Sequence, residues 1–339
     1  FPAYPDTAPI DLRFVFADEA PAGRHGFLKA AGDHFEFEDG TEARFWGTNF
    51  NSGLCFPSHD YAEQVAERLA KYGCNIVRFH QMDSEWATPN IFQFTKGPRQ
   101  ANSSAPDPES LDRLDYLIAC LKKNGVYVYL DMLTYRKFKS GDGVENAAAL
   151  GDCARPFNCT HPTLIALQKR YMEQMWMHVN PYTGLAYRDE PAIVLSEIVN
   201  EDDLFSRKVA RIEPYFSHYC ELYRTWAQAN GAAFDSATFD PDANDDDQVR
   251  FKVHTMERHY RDMIAFQRGL GVKIPLTGTN WTINGAVTRA QNVTDYNDGH
   301  AYFSWGRFDD TTRRCNDLAL TQQPGRFGRL AFNRLPDKP

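Results

Sequence analysis

Apolar and polar residues alternate with the two-residue period of a β-strand in the segment HFEFEDGTEARFWGTNF, residues 34–50. The alternation continues on both sides of Asp39-Gly40, a dipeptide that favours tight turns. This pattern predicts a β-hairpin with a two-residue type I′ turn. The second arm of the hairpin leads directly into residues 45–49, which predict the first strand of a core sheet.

After this strand, segments with helical periodicity alternate with short apolar segments. The pattern predicts helices over 58–73, 109–124, 161–179, 214–230 and 248–269. It predicts further strands over 74–80, 126–133, 192–201, 273–281 and 293–303. Strands that alternate with helices at this spacing indicate parallel βαβ units.

The predicted fold class is therefore α/β, as an incomplete (β/α)8-type TIM barrel of about six βα units with an N-terminal β-hairpin. A doubly wound sheet is the competing fold, but the segment after the first strand, WGTNFNSGLCFPS, lacks the glycine-rich phosphate-binding turn typical of that fold. We expect residues 1–40 to form an extension with the hairpin. We expect residues 41–339 to form the barrel domain without its seventh and eighth strands.

The charge and composition of the chain limit its partners. The net charge of the 339 residues is −8 and no block of Lys and Arg occurs, which argues against nucleic acid or an anionic membrane surface and favours an uncharged or cationic ligand. No apolar stretch is long enough to span a membrane. The proline-containing start, FPAYPD, is typical of mature exported proteins, so we expect a secreted or periplasmic location. Among the seven cysteines, Cys153 and Cys159 are close enough for a local disulfide, which the sequence leaves open.

Polar and aromatic residues gather where the predicted strands end. In a (β/α)8 barrel the functional groups project from the carboxyl ends of the strands. Carboxylate, guanidinium, imidazole, amide, phenol and indole groups at one rim are suited to a polyhydroxylated substrate. The residues at these ends are Asn49, Arg78, His80, Asp131, Asn200, Glu201, Asn280, Trp281, His300 and Tyr302, with Trp305 shortly after them.

Each of these residues also has a simpler interpretation, because an arginine at a strand end commonly forms a salt bridge and a single histidine is commonly a core residue. A metal site is a further alternative, since His80, His300 and Asp131 are all possible ligands. However, no H-x-H or H-E-x-x-H motif occurs, and we predict neither a metal nor a cofactor.

The strand ending in EIVNED, with Glu197, Asn200 and Glu201, resembles the E-x-x-N-E pattern of clan A glycoside hydrolases, in particular the cellulases and mannanases of family 5. Arg78, and His300 with Tyr302 in the segment HAY, match the pattern of the same family in the same chain order. The resemblance covers roughly residues 40–335. It implies hydrolysis of β-linked poly- or oligosaccharides such as β-glucan or cellulose by a retaining mechanism.

The resemblance also implies residue roles. Glu201 is expected to be the general acid/base, and Asn200 to bond the 2-hydroxyl of the sugar. Arg78 is expected to steady the nucleophile. The predicted substrate-binding side chains are Asn49, Arg78, His80, Asn200, Trp281, His300, Tyr302 and Trp305.

The protonation states follow from the chemistry. A general acid must hold its proton near neutral pH, so we expect burial or a second carboxylate to raise the pKa of Glu201. Glu197 lies four residues earlier, and we expect a structural role in the barrel interior, bonded to an arginine or to the backbone. Regular pleating sends Asn200 and Glu201 to opposite faces, so a bulge or the end of the strand must redirect one of them.

The sequence departs from the family at the nucleophile, which the resemblance places on a Glu at the end of the seventh strand. No such strand is recognisable after HAYFSWG, and we expect the chain to lack it. The chain is then a piece of a longer hydrolase, or a short form completed by association through open barrel edges, or its strands are miscounted. A short form needs a substitute carboxylate, and the possible residues are Asp131, Asp298 and Glu85.

Two other classes of function stay open. One is a catalytically impaired barrel that binds carbohydrate without turnover. The other is a metal-dependent barrel hydrolase or isomerase, which would lose activity in the presence of chelators.

Overall fold

The computed structural model describes residues 10–281 and 284–300 of the chain. The strands are β1 (Leu28–Ala31), β2 (His34–Phe37), β3 (Glu42–Ala43), β4 (Gly47–Asn51), β5 (Ile76–His80), β6 (Tyr127–Asp131), β7 (Ile193–Val199) and β8 (Leu276–Thr279). The helices are α1 (His59–Lys71), α2 (Pro108–Lys123), α3 (Ala147–Leu150), α4 (Arg155–Asn158), α5 (Pro162–Met177), α6 (Tyr215–Asn230), α7 (Asp246–Gly269) and α8 (Gly285–Ala290).

The first three strands form an antiparallel sheet in the order β1-β2-β3. The predicted hairpin is β2 with β3, but its type I′ turn is wrong. Pairing of Phe35 with Ala43 leaves a three-residue loop over 38–40, in which Gly40 has a φ of 86°. A three-residue loop with one left-handed glycine is the second common hairpin connection. The β1-β2 hairpin, with Gly32 in its two-residue turn at a φ of 66°, was missed.

The remaining five strands form a parallel sheet in the order β4-β5-β6-β7-β8, with at least one helix between each pair of neighbours. Each strand thus lies beside the strand that precedes it in the chain. A doubly wound sheet reverses its strand order near the middle, whereas a (β/α)8 barrel keeps this sequential order. The predicted α/β class with barrel-type βα units is confirmed, and five of its parallel strands lie in the described part of the chain.

Side-chain caps explain where several helices begin. Ser58 accepts a hydrogen bond from the Tyr61 amide at the start of α1. Asp107 caps α2, and Asp245 caps α7, by accepting from two amides each. The short helix α8 was missed, because its six residues are too few to produce a helical repeat.

The prediction of a sixth strand over 293–303 is wrong for residues 293–300, which are the described part of this range. Residues 293–300 contain no strand, although they run alongside β8. The amide of Asp295 donates to the Leu276 carbonyl at 3.0 Å, and the amide of His300 donates to the Asn280 carbonyl at 2.9 Å. Residues 301–303, and with them Tyr302, lie outside the described residues, as does Trp305.

The antiparallel sheet packs against the amino-terminal ends of the parallel strands. The ring of Phe37 stacks on Tyr127, the first residue of β6, with ring centroids 5.3 Å apart. This packing covers the amino-terminal end of the parallel sheet, so the carboxyl ends of the strands remain available to form a site. The predicted division at residue 40 stays a prediction, although β3 extends the antiparallel sheet to Ala43.

Two further sequence expectations concern a local disulfide and a membrane-spanning segment. Cys159 is a free cysteine, with its Sγ 3.8 Å from the Pro156 carbonyl oxygen, and the side chain of Cys153 lies outside the described part of the structure. Within residues 10–281 and 284–300, no helix combines the length and the apolar character that crossing a bilayer requires.

Candidate active site

A buried arginine joins the carboxyl ends of three neighbouring strands. Nη2 of Arg78, on β5, donates to Asp131 Oδ2 at 3.0 Å and to Asn200 Oδ1 at 2.9 Å, and it also contacts Glu197 Oε1. Arg78, Asp131 and Glu197 are all buried. One guanidinium therefore serves two buried carboxylates, and this excess of negative charge favours retention of a proton.

Asn280, which follows β8, completes this network. Its Nδ2 donates to Glu197 Oε2 at 2.8 Å and to Asn200 Oδ1 at 2.9 Å, while its Oδ1 accepts from the Glu201 amide at 2.9 Å. The predicted site included the next residue, Trp281, instead. The rule that functional groups lie at strand ends already singled out Asn280, so the signal for it was present in the sequence.

His80 and Asp131 form a second buried pair beside Arg78. His80 Nδ1 lies 2.5 Å from Asp131 Oδ2, which also accepts from Thr134 Oγ1 at 2.9 Å. Burial and the charge of Arg78 lower the pKa of His80 to about 4. The imidazole is therefore neutral at pH 7, and Asp131 orients it by hydrogen bonding.

Glu201 is redirected by the end of its strand, as the sequence predicts. The strand β7 ends at Val199, and Glu201 has a φ of 47°, in the left-handed region. This conformation is strained for a residue with a Cβ, and such strain is common at functional sites. It is held by two backbone contacts, since the Glu201 amide donates to Asn280 and its carbonyl accepts from Arg155 Nη1 at 3.1 Å.

The Glu201 carboxylate lies against His300. The distance from Glu201 Oε1 to His300 Nδ1 is 3.1 Å, and both side chains are largely buried. Burial acts to raise the pKa of Glu201, but the hydrogen bond and the charge of His300 outweigh it and lower this pKa below its usual value. Burial acts to lower the pKa of His300, but the hydrogen bond with Glu201 and the charge of Asp298 outweigh it and raise this pKa. The expected raised pKa of Glu201 is therefore wrong for the unliganded site.

Glu197, rather than Glu201, is the glutamate of this site with a raised pKa. Burial raises the pKa of Glu197 to about 8 against the opposing effect of Arg78, and burial raises that of Asp131 to about 6. Glu197 is fully buried and its Oε2 also accepts from the Tyr129 hydroxyl at 3.1 Å. The expectation that Glu197 bonds an arginine in the interior is confirmed.

The other predicted substrate-binding residues are placed less centrally. Asn49 pairs with Arg78 in the β4-β5 ladder, so it shares the face of Arg78, but it is exposed. Trp281 is half-buried, and its amide lies 3.4 Å from Thr279 Oγ1. The structure thus brings together Arg78, His80, Asn200, Glu201 and His300 from the predicted set.

The three possible substitute nucleophiles have different surroundings. Oδ2 of Asp131 is occupied by Arg78, His80 and Thr134, whereas its Oδ1 is buried and has no hydrogen-bond partner among residues 10–281 and 284–300. Glu85 forms an ion pair with Lys139 at 2.9 Å. Asp298 is half-buried and accepts from the Tyr129 hydroxyl at 2.8 Å. Of the three, Asp298 is the one whose charge contributes to the raised pKa of His300.

Metal chemistry finds no support in the described part of the chain. No group of three or more His, Cys, Asp or Glu side chains among those residues is arranged to hold a metal ion. In particular, His80 and Asp131 are hydrogen-bonded to each other, and the Nδ1 of His300 faces Glu201.

Comparison with known proteins yields one curated relative. No family model matches the chain. Mannan endo-1,4-β-mannosidase 1 of Solanum lycopersicum is 26% identical over 184 residues, which cover 52% of this chain and 44% of that protein. The matched segment therefore spans less than half the length of the relative.

Solved structures with a similar chain trace are glycoside hydrolases. The endo-1,4-β-mannanase of Rhizomucor miehei is 17% identical, with a TM-score of 0.49 over 93% of this chain and 80% of that one. A glycoside hydrolase family 5 protein of Bacteroides vulgatus is 13% identical, with a TM-score of 0.45 over 94% of this chain and 54% of that one. The resemblance of the chain to clan A glycoside hydrolases is confirmed by the curated relative.

Proposed function

We propose that the chain acts as a retaining glycosidase on a β-linked poly- or oligosaccharide, with a β-mannan or a β-glucan as the substrate class, and that Glu201 is its acid/base. The observation that carries the proposal is the placement of the Glu201 carboxylate 3.1 Å from His300, beside the buried network of Arg78 and Asn280. The mannan-cleaving name of the curated relative supports the substrate class.

In the first step Glu201 transfers its proton to the glycosidic oxygen while the bond from that oxygen to the anomeric carbon breaks. A second carboxylate, about 5 Å away, attacks the anomeric carbon. Asn200, whose Oδ1 accepts from Arg78 and Asn280, is oriented by both and presents its Nδ2 to a sugar hydroxyl. In the second step the Glu201 carboxylate removes a proton from a water molecule. The water oxygen attacks the anomeric carbon, and the bond between that carbon and the second carboxylate breaks.

The protonation state of the unliganded site is suited to the second step. Hydrogen bonding from His300 stabilises the Glu201 carboxylate, which is the basic form that activates water. For the first step the carboxyl must gain a proton. A bound sugar excludes water from Glu201, and this further desolvation raises its pKa.

The test compares hydrolysis of β-mannan, mixed-linkage β-glucan and soluble cellulose by the wild type and by Glu201→Gln. We expect the substitution to lower the rate on the preferred polysaccharide by about 10²- to 10⁴-fold, since proton transfer is lost. The matched control is Glu221→Gln, because Glu221 is an exposed carboxylate on α6 that pairs with Arg224. A Glu201→Gln rate equal to the wild-type rate would remove the proposal.

The identity of the nucleophile divides the proposal into two cases. If Asp298 is the substitute, Asp298→Asn abolishes hydrolysis even of aryl glycosides with a very acidic leaving phenol. If it is not, Asp298→Asn changes mainly the pH profile through His300, whose pKa Asp298 raises.

A catalytically impaired carbohydrate-binding barrel is the second candidate. The observation that favours it is the lowered pKa of Glu201, which leaves little of the acid form in the unliganded protein at neutral pH. This candidate predicts binding of oligosaccharides in calorimetry with no release of reducing ends by the wild type.

We also propose that copies of the chain associate through β4 and that the protein is exported. Support for association is the exposed strand β4, which pairs on one side only within the described residues, and the neighbouring Trp46, which is 71% exposed. Unpaired strand edges are templates for pairing with another chain. Light scattering of the purified protein tests association, and fractionation of the producing cells tests export.

A further inference from the structure

A cavity of about 170 Å³ lies next to the candidate active site, and most of the charged side chains that line it are cationic. We call it the cationic cavity. Its charged lining consists of Arg136, Lys137, Arg155 and Arg207 with a single carboxylate, Asp152. The guanidinium of Arg136 is buried and donates to Ser103 and to the Leu167 carbonyl, so the other three cations carry the charge of the cavity. This local excess of positive charge contrasts with the net charge of −8 of the whole chain. A cavity with walls of one sign concentrates the opposite charge in its ligand.

Arg155 links the cationic cavity to the Glu201 backbone. Its Nη1 donates to the Glu201 carbonyl at 3.1 Å, and its guanidinium lies 4.6 Å from the centre of the Tyr135 ring, which also lines the cavity. A group bound in the cavity therefore lies within reach of a sugar held at Glu201.

The carboxylates near the cavity offset its charge only in part. Arg155 acts on Glu201 and Asp202, and Arg207 acts on Asp202 and Asp203. Asp152 pairs with Lys137 at 3.3 Å, but this pair is on the surface and the Asp152 side chain is 88% exposed, so water screens it. Asp202 lies behind the wall of the cavity, where Asn158 Nδ2 donates to its Oδ2 at 2.8 Å. Burial raises the pKa of Asp202 to about 7, which reduces its negative charge at neutral pH.

The cavity also offers groups that suit a sugar rather than a simple ion. Asn158 lines it and is buried, and the Oδ1 of Asn158 has no hydrogen-bond partner among residues 10–281 and 284–300. Trp86 packs edge-on against Tyr135, with ring centroids 6.4 Å apart, and is 62% exposed. An exposed indole beside a polar cavity is a stacking surface for a sugar ring.

We propose that the cationic cavity binds an anionic substituent, a carboxylate or a sulfate, on the sugar chain that the candidate active site holds. The preferred substrate is thus a β-mannan or β-glucan chain that carries an acidic substituent. This inference rests on the proposed function, because it names the substrate class of the same site. It differs from the sequence expectation of an uncharged or cationic ligand, because the local charge of the cavity differs in sign from that of the whole chain.

Two matched probes test the inference by binding alone. The first is a β-1,4-linked oligosaccharide that carries one glucuronic acid side group, and the second is the same oligosaccharide with that carboxyl reduced to an alcohol. Calorimetry with Glu201→Gln measures both dissociation constants without turnover. We expect the acidic probe to bind about tenfold more tightly, as one charge-assisted hydrogen bond provides. We expect this preference to shrink in 0.5 M NaCl, because salt screens exposed charges.

Two substitutions in the Glu201→Gln background show whether the cationic cavity causes the tighter binding of the acidic probe. Arg207→Ala is expected to bring the ratio of the two dissociation constants close to one. Lys208→Ala is the matched control, because Lys208 is the next residue and is exposed but does not line the cavity, so the ratio should persist. An O-sulfated version of the same oligosaccharide shows which anionic group is preferred, and tighter binding of either anionic probe supports the inference.

The outcomes separate this inference from the proposed function. Equal binding of the acidic and reduced probes overturns the inference, and so does absence of binding by every probe. Hydrolysis of the reduced probe by the wild type would leave the proposed glycosidase activity intact in that case. Preferential binding of the acidic probe without any hydrolysis by the wild type would support the cavity assignment and contradict the proposed activity.

Discussion

The Nδ1 of His300 lies 3.1 Å from the Oε1 of Glu201, although the two residues are 99 positions apart in the chain. Their pKa values move in opposite directions, with that of Glu201 lowered and that of His300 raised. Each group therefore favours the charged form of the other, and removal of the imidazole at position 300 changes the pKa of Glu201.

Removal of the imidazole is expected to move the pH profile. In His300→Ala the burial of Glu201 is no longer opposed by a charged donor, so the pKa of Glu201 rises. The general acid must be protonated, and the alkaline limb of kcat/KM therefore shifts to higher pH. His300→Asn keeps an N–H donor near the Nδ1 position without the charge and should shift the limb less. An unmoved limb in His300→Ala would show that Glu201 does not set it.

Loss of the guanidinium at Arg78 is expected to destabilise the fold strongly. Arg78→Leu leaves Asp131 and Glu197 buried without a cation, and breaking a buried pair costs about 3–5 kcal/mol in the free energy of unfolding. The double variant Arg78→Leu/Glu197→Gln should regain part of this loss, because it removes one of the two buried carboxyl groups that lose their cation. Arg224→Leu, at an exposed ion pair with Glu221, serves as the control and should have little effect. Urea unfolding measures all four proteins, and a wild-type-like Arg78→Leu would contradict the buried network.

The same network is expected to make stability depend on pH. The folded pKa of Glu197, about 8, lies above its unfolded value near 4.5. The folded state therefore binds more protons than the unfolded state between these values, and its contribution to the free energy of unfolding falls as pH rises, by at most about 1.4 kcal/mol per pH unit. In Glu197→Gln this decline between pH 5 and pH 8 should be smaller. Urea unfolding at both pH values is the measurement, and an unchanged slope in the variant would contradict the raised pKa.

The left-handed backbone conformation at Glu201 is expected to lower the stability of the fold. Glu201→Ala and Glu201→Gly both remove the carboxylate, but only alanine keeps a Cβ at a φ of 47°. Glycine avoids the strain of this conformation, which is about 1 kcal/mol for other residues. Both variants should be inactive on polysaccharide, and the glycine variant should unfold at the higher urea concentration. A more stable alanine variant would argue against strain at this position.

The sequence predicted those elements whose residues carry the signal locally. The β7 segment is buried along its whole length, and its apolar run marked it as a strand. The helical periodicity over residues 58–73 indicated α1 in the same way. The helix α8 and the irregular path of residues 293–300 were not predicted, because their conformations depend on contacts with β8 rather than on a repeating pattern.

The candidate site was predicted in part, for a similar reason. The strand-end rule gave Arg78, His80 and Glu201, because it depends only on where each strand stops. The lowered pKa of Glu201 was not predictable, since it results from His300, a distant residue whose distance from the carboxylate is known only from the fold. Burial alone, which the sequence did indicate, acts in the opposite direction.

Azide rescue of Glu201→Ala is the measurement that tests the acid/base assignment most directly. The substrate is a 2,4-dinitrophenyl β-glycoside of the preferred sugar, whose leaving group needs no protonation. The account predicts that added azide restores turnover in proportion to its concentration and yields a β-glycosyl azide, since a small anion then occupies the space of the missing carboxylate on the leaving-group side. An α-glycosyl azide, or turnover that azide does not change, would contradict the assignment of Glu201.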